Sequence, residues 1–97
     1  MIKKNQMINM IQQYQEQLGS IRVSASSGGG MVTVEMDGTK RLISIKIESE
    51  VIKAEDSDML QDLILAAVNE ASRQVDEQTA MKMQSFMGQF GLPPGLF

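Results

Sequence analysis

Two stretches of this 97-residue chain have residue types and a spacing that could bind a charged ligand. The first, "SSGGGM", places Gly28–Gly30 before an alternating apolar run, and glycine-rich loops can bind phosphate through their backbone amides. A phosphate loop, however, ends in Gly-Lys-Ser/Thr and opens a helix. Here Met31 follows the glycines and a strand pattern begins. The stretch therefore favours a plain hairpin turn, in which glycines accept positive φ without steric cost.

The second stretch, "EDSDMLQD", is acidic enough to resemble a calcium-binding loop. Such a loop needs glycine at its sixth position and glutamate at its twelfth, and neither is present. The chain also has no cysteine and no histidine, which removes thiolate chemistry and the usual base at neutral pH. We therefore expect no metal, cofactor or small-molecule substrate, and a non-enzymatic protein is favoured.

Charge is distributed unevenly along the chain. The net charge is −3, with +3 on residues 1–46 and −6 on residues 47–97. The overall balance does not indicate nucleic-acid binding, but the basic first half and the acidic second half can matter for partners.

The length of the chain favours one domain over residues 1–97, with a thin core of its own. No apolar run approaches the ~20 residues of a membrane span. The first ten residues, "MIKKNQMINM", lack the apolar core of a signal peptide. These features predict a cytoplasmic protein with no membrane partner.

Three segments alternate apolar and polar residues with the period of two that is typical of a strand with one buried face. They cover residues 20–26, 31–37 and 41–48. Asp37-Gly38 separates the second segment from the third and is a strong signal for a tight hairpin whose two central residues have positive φ. The pattern predicts a three-stranded antiparallel meander.

Apolar residues at helical spacing flank the strands on both sides. The spacing predicts a first helix over residues 2–18, ended by Gly19. It predicts a second, long helix over residues 57–87, followed by a tail over residues 88–97.

The start of the second helix has several candidate caps. Asp58 with Gln61 resembles a capping box, and Asp56 or Ser57 could also be the cap.

The second helix is too long for the sheet to cover. At 1.5 Å per residue it extends roughly 45 Å, whereas a compact chain of this length has a radius of gyration near 12–13 Å. Its far half needs the first helix, a second subunit or both, and the sheet has two edges that a dimer could pair. These two requirements together predict a homodimer.

The order of these segments resembles the YbaB/EbfC family of bacterial nucleoid-associated proteins across nearly the whole chain. The resemblance is carried by "GGGMVTVEMDG", "ISIKIE", "DMLQDLILAAVNEA" and "GLPPGLF". It implies an α+β fold of order α-β-β-β-α, with two helices flanking a three-stranded antiparallel sheet. It also implies a tweezer-shaped homodimer that binds double-stranded DNA with little sequence preference. Such a protein would be cytoplasmic, associated with the nucleoid, and would influence nucleoid organisation and gene expression.

The chain departs from that family in two ways. Its N-terminus is short, and Ser72-Arg73-Gln74 stand where relatives often have two lysines. Both departures reduce the positive charge or the reach available for DNA.

Six cations are candidate DNA-binding residues, because phosphate contacts give affinity without sequence information. They are Lys3, Lys4, Lys40, Arg41, Arg73 and Lys82. Each has a plainer interpretation as well: a solvated terminus for the first two, a solubilising hairpin turn for the next two, and a solvated helix face for the last two. Arg73, for example, could pair with Glu77. We expect Lys3, Lys4 and Lys82 to come together at the outer ends of the two helices.

A protein-interaction module is the alternative function. It would be a dimer whose acidic helix and apolar tail bind a partner without contacting DNA. The nine methionines are interpreted as adaptable core and interface residues. The "LPPGLF" tail would dock a partner or fold back over exposed apolar surface.

Overall fold

The computed structural model describes residues 3–89 and 91, and its elements follow the predicted order with one short helix added. The elements are α1 (Lys4–Ser20), β1 (Arg22–Ser27), β2 (Val32–Asp37), β3 (Leu42–Ile47), α2 (Ser49–Lys53) and α3 (Ser57–Gln89). The strands form one antiparallel sheet of order β1-β2-β3. The predicted α+β fold with a three-stranded antiparallel sheet and a long last helix is confirmed. Most of the predicted tail lies outside the described residues.

Helix α2 was not predicted from the sequence. It has five residues, "SEVIK", and buries only Val51, so it is too short to show a helical period. It fills the connection between β3 and α3, where the sequence pattern alone left a loop.

The core lies between one face of the sheet and the first half of α3. Val32 and Val34 of β2 have no exposed surface, and they face Ala67 and Ala71 of α3, which have none either. Alanine at these two positions, one helical turn apart, lets the helix backbone approach the valines closely. The long helix is therefore held to β1 and β2 by its N-terminal half.

The first hairpin turn is the plain turn that its glycines predicted. Gly28, Gly29 and Gly30 have φ values of 60°, 66° and 99°, a region that side chains disfavour. The N–H groups of Gly30 and Met31 both donate to the carbonyl of Ser27, at 3.2 and 3.0 Å. These bonds close the turn.

The second hairpin turn differs from the prediction. Positive φ was expected at the two central residues of an Asp37-Gly38 turn, but the positive φ belongs to Lys40, at 66°. The Lys40 N–H donates to the Asp37 carbonyl and the Asp37 N–H to the Arg41 carbonyl, each at 3.0 Å. The last residue of this hairpin loop is therefore left-handed, and the expectation of positive φ at both central residues was wrong.

Gly38 is needed for a different reason, which is close approach to α1. Its N–H donates to the Leu18 carbonyl at 3.1 Å, and a Cβ at this position would overlap that same carbonyl oxygen. The contact joins the hairpin tip to the last turn of α1.

The end of α1 differs from the prediction, whereas α3 begins at Ser57 as predicted. Gly19 does not end α1, which continues to Ser20 and is followed by Ile21 in extended conformation. The Gly19 carbonyl in the last turn of α1 accepts a hydrogen bond from Nη1 of Arg22, at 2.6 Å. At the start of α3, Asp56 is the cap: its Oδ1 accepts the Met59 N–H at 3.0 Å.

The molecule is elongated because α3 extends beyond the sheet. It measures 61 × 21 × 16 Å and has a radius of gyration of 17.9 Å, well above the roughly 12–13 Å of a compact chain of this length. Helix α1 covers part of the far half of α3, where the Tyr14 and Phe86 rings lie 5.4 Å apart. We call α1 and the part of α3 beyond Asp76 the helical arm.

The contact between Gly38 and Leu18 gives a stability prediction. Gly38→Ala should lower the free energy of unfolding by roughly 1–3 kcal/mol, because the new methyl group forces the backbones apart. Gly19→Ala is the control, since that position has open space around it and alanine favours helix by up to about 1 kcal/mol. Urea unfolding measures both; equal loss of stability in the two variants would contradict the prediction.

Candidate nucleic-acid interface

The six predicted DNA-binding cations lie in three regions of the structure. Two are at the start of α1, two at the tip of the second hairpin and two on α3: Lys3, Lys4, Lys40, Arg41, Arg73 and Lys82. All are exposed except Lys82, which is of intermediate exposure. The regions differ in whether acidic side chains hold the cations.

The helical arm carries three of the cations. Lys3 immediately precedes α1 and Lys4 is its first residue, while Lys82 lies one helical turn before Phe86 on α3. The ring contact between Phe86 and Tyr14 shows that α1 and distal α3 lie side by side. Lys3, Lys4 and Lys82 form no ion pair within residues 3–89 and 91. All three cations are therefore available to an anion. Lys4 precedes Tyr14 by ten residues, roughly 15 Å along a helix, so the ring contact does not place Lys3 and Lys4 next to Lys82, and the expectation that the three come together stays a prediction.

Arg73 is held by two glutamates of its own helix. Its Nε and Nη2 donate to the two carboxylate oxygens of Glu70, at 3.0 and 2.7 Å, and its Nη1 donates to Glu77 at 2.7 Å. The Glu77 pair is the alternative that the sequence spacing indicated. These hydrogen bonds raise the pKa of Arg73 and lower the pKa of Glu70, for which the largest cause is the bond from Arg73.

Lys40 also has an acidic partner. Its Nζ lies 2.8 Å from Oδ1 of Asp76, with the two side chains 47% and 63% exposed. The pair joins the tip of the second hairpin to the middle of α3, where the helical arm begins. Arg41, beside it, forms no ion pair within the described part of the chain.

Asp37 orders the turn that presents Lys40 and Arg41. Its Oδ1 accepts hydrogen bonds from the N–H and hydroxyl of Thr39, at 2.8 and 2.6 Å, and from the Arg41 N–H at 3.1 Å. The hydroxyl of Thr39 is the largest cause of a lowered pKa for this carboxyl group. The sequence pattern predicts Asp37 only as a turn residue, although an aspartate two residues before a threonine in a turn is a signal for this bonding.

The sheet leaves an apolar edge beside α3. Strand β3 pairs only with β2 among the described strands, and α3 packs on β1 and β2. Leu42, Ile43 and Ile45 of β3 are each about two-fifths or more exposed. Ile45 lies opposite Val34 in the ladder, so it continues the apolar face of the sheet past the helix that covers it. We call these three residues the β3 edge patch.

The glycine turn forms one wall of a cleft of about 640 Å³ against α2. The cleft is lined by the three glycines, Met31, Glu48, Glu50, Val51, Ala54 and Met59. Two acidic residues and an apolar floor oppose the binding of a phosphate, which agrees with the plain-turn interpretation.

The part of the chain that the structure describes has no group of three or more acidic side chains placed to hold a metal ion. Within the same residues, no helix is both long and apolar enough to cross a membrane.

Comparisons with known proteins identify the relatives of this chain. A model of the YbaB/EbfC DNA-binding family matches residues 1–90. A nucleoid-associated protein of Koribacter versatilis is 48% identical over 82 residues, which cover 84% of this chain and 81% of that protein. A nucleoid-associated protein of Bacillus cereus strain B4264 is 45% identical over 83 residues, which cover 86% of this chain and 76% of that protein.

A solved structure has the same fold. The crystal structure of the uncharacterized protein HP0035 from Helicobacter pylori matches with a TM-score of 0.66 and 27% sequence identity. The match covers 84% of this chain and 93% of that one.

The bonds at Asp37 give a prediction about pH. Because its pKa is lowered in the folded state, Asp37 contributes stability above its ordinary value of 3.8, and the contribution is lost as pH falls through the folded pKa. Asp37→Asn should have a lower free energy of unfolding than the wild type at neutral pH, and this difference should become smaller below pH 3.8. Urea unfolding of both proteins at several pH values measures the difference in free energy, and a difference that does not change with pH would count against the prediction.

Proposed function

Because the chain belongs to the YbaB/EbfC DNA-binding family, we propose that it is a nucleoid-associated protein that binds duplex DNA as a homodimer. The observation that carries the proposal is the helical arm, whose cations Lys3, Lys4 and Lys82 are held by no acidic partner among the described residues. Relatives with closely similar sequences carry the name nucleoid-associated protein. The protein would act by binding and not by catalysis, in the cytoplasm at the nucleoid.

Binding would depend on phosphate contacts and not on reading bases. The net charge of the chain is −3, so attraction to DNA would have to come from local cations, and those of the arm would supply it. The chain has one tyrosine, three phenylalanines and no tryptophan, and Tyr14 is already packed against Phe86. Few side chains remain to stack on bases. Affinity would therefore be nearly independent of sequence and would fall steeply with salt.

A second copy of the chain is the partner that fits the β3 edge patch. The outer edge of β3 presents backbone N–H and C=O groups without a neighbouring strand among the described residues, and such an edge is a template for pairing. An edge strand with exposed Leu42, Ile43 and Ile45 can pair with its own copy across a two-fold axis, which buries the same patch on both chains.

The dimer would carry two arms. Each protomer is 61 Å long, and its sheet packs on only one half of α3. If two protomers pair through their sheets, both helical arms project from the dimer. Lys3, Lys4 and Lys82 would then supply six cations, three on each arm, to the two sides of a duplex. This arrangement is the proposed tweezer.

A role directed at a protein partner is the second candidate. Met7, Ile8 and Ile11 of α1 are between 44% and 54% exposed, and such a stripe on a helix can dock against another protein. Salt dependence separates the candidates, because apolar docking is much less sensitive to salt than phosphate binding.

The proposed assembly is tested by a substitution in the β3 edge patch. Wild-type protein at micromolar concentration should sediment with about twice the monomer mass, since the patch and strand edge are buried only in the dimer. Ile45→Glu should sediment as a monomer, because it places a charge in the apolar interface. Met81→Glu is the control: Met81 is 64% exposed on α3, and this variant should remain dimeric. A wild-type monomer with full helicity would refute the assembly.

The proposed DNA contacts are tested by reversing the arm cations. Replacing Lys3, Lys4 and Lys82 together by Glu should abolish duplex binding while helicity and dimer mass stay unchanged. Single replacements should each flatten the slope of log affinity against log salt by about one unit for each phosphate that is no longer bound. Mobility-shift titrations at several salt concentrations measure both effects.

The control for the arm variants is Lys46→Glu on the polar face of the sheet, opposite Thr33. It should weaken binding much less than the triple variant. Normal binding by the triple variant, with loss of binding in Lys46→Glu, would place DNA on the sheet and not on the arms.

A further inference from the structure

We propose that Glu70, Asp76 and Glu77 compete with DNA phosphates for Arg73 and Lys40, and thereby limit the affinity of the protein for the duplex. We call the three acids the acidic clamp. The inference rests on the proposed DNA-binding function and adds to it a set of residues that weakens binding.

The geometry at Arg73 is that of an occupied phosphate site. Glu70 accepts from Nε and Nη2 together, at 3.0 and 2.7 Å, and this pair of donors is the edge of a guanidinium that binds phosphate in a bidentate manner. Glu77 occupies Nη1 at 2.7 Å. A phosphate must therefore displace at least one carboxylate before it can bind Arg73. The raised pKa of Arg73 and the lowered pKa of Glu70 have the same origin.

Lys40 is held in the same way from another part of the chain. Asp76 lies on α3 between Arg73 and Glu77, and its Oδ1 contacts the Lys40 ammonium at 2.8 Å. All three ion pairs lie on the surface, with the side chains of Arg73 and Lys40 56% and 47% exposed. Exposed ion pairs are weak, so DNA can break them, but each one broken reduces the net gain from a phosphate contact.

The charges of this surface show what the clamp does. With its acids, the group of Lys40, Arg73, Glu70, Asp76 and Glu77 has a net charge of −1, since two cations face three carboxylates. Without the three acidic charges, the same surface would keep only its two positive charges. The clamp therefore turns a surface with two cations into one that does not attract DNA, and leaves the arm cations as the main contacts.

Neutralising the clamp tests the inference. The variant Glu70→Gln/Asp76→Asn/Glu77→Gln should bind duplex DNA at least about tenfold more tightly than wild type near 200 mM salt. Its slope of log affinity against log salt should be steeper, by about 0.9 for each additional phosphate that the protein binds. The single variant Asp76→Asn, which frees Lys40 alone, should show a smaller increase in affinity.

Two controls distinguish competition from a general change in charge. Glu50→Gln/Glu55→Gln/Asp62→Asn removes the same amount of negative charge from acids that hold no cation among the described residues, and its affinity should increase much less. Adding Lys40→Gln and Arg73→Gln to the clamp variant should remove the increase, because the freed cations are then absent. Helicity and dimer mass are measured for every variant.

The outcomes separate this inference from the proposed function. Equal increases in affinity in the clamp variant and the charge-matched control, or an increase that persists without Lys40 and Arg73, would overturn the clamp while DNA binding stands. Wild-type binding with no increase in the clamp variant would do the same. Failure of the wild type to bind DNA even near 50 mM salt would overturn the proposed function itself.

Discussion

The close packing of α3 against β2 is the contact on which the other features of the molecule depend. Ala67 and Ala71 meet Val32 and Val34 without exposed surface, so the first half of a 33-residue helix is fixed to the sheet. The second half then has no sheet to cover it. The need for α1, the elongated shape and a projecting surface for cations all follow from the mismatch between the length of one helix and the width of three strands.

The second hairpin connects the fixed half of the molecule to its projecting half. Gly38 bonds the end of α1 and Lys40 bonds Asp76 on α3, so one loop contacts both helices of the arm at its base. Asp37 orders that loop through three hydrogen bonds. The direction of the arm relative to the sheet therefore depends on a few polar contacts at one turn, in addition to the apolar packing farther along.

Sequence patterns predicted the elements because each one carries a period of its own. The strands alternate strictly and α3 keeps one apolar face, so order, sheet type and helix length could be inferred. Contacts between distant residues could not: the Lys40–Asp76 pair joins positions far apart in sequence, whereas the Arg73–Glu77 pair follows from local spacing. The role predicted for Gly38 was also wrong. A glycine after an aspartate indicates a tight turn, but a glycine is equally required where its backbone contacts another backbone, as Gly38 contacts Leu18.

The left-handed backbone of Lys40 has a consequence for substitutions at position 40. A φ of 66° is strained for lysine and costs of order 1 kcal/mol, which glycine or asparagine would avoid. A search for stabilising substitutions would therefore select those residues at position 40 and remove a cation that lies beside the arm. A more stable backbone at this turn would therefore come with the loss of the Lys40–Asp76 ion pair, which joins the hairpin to α3.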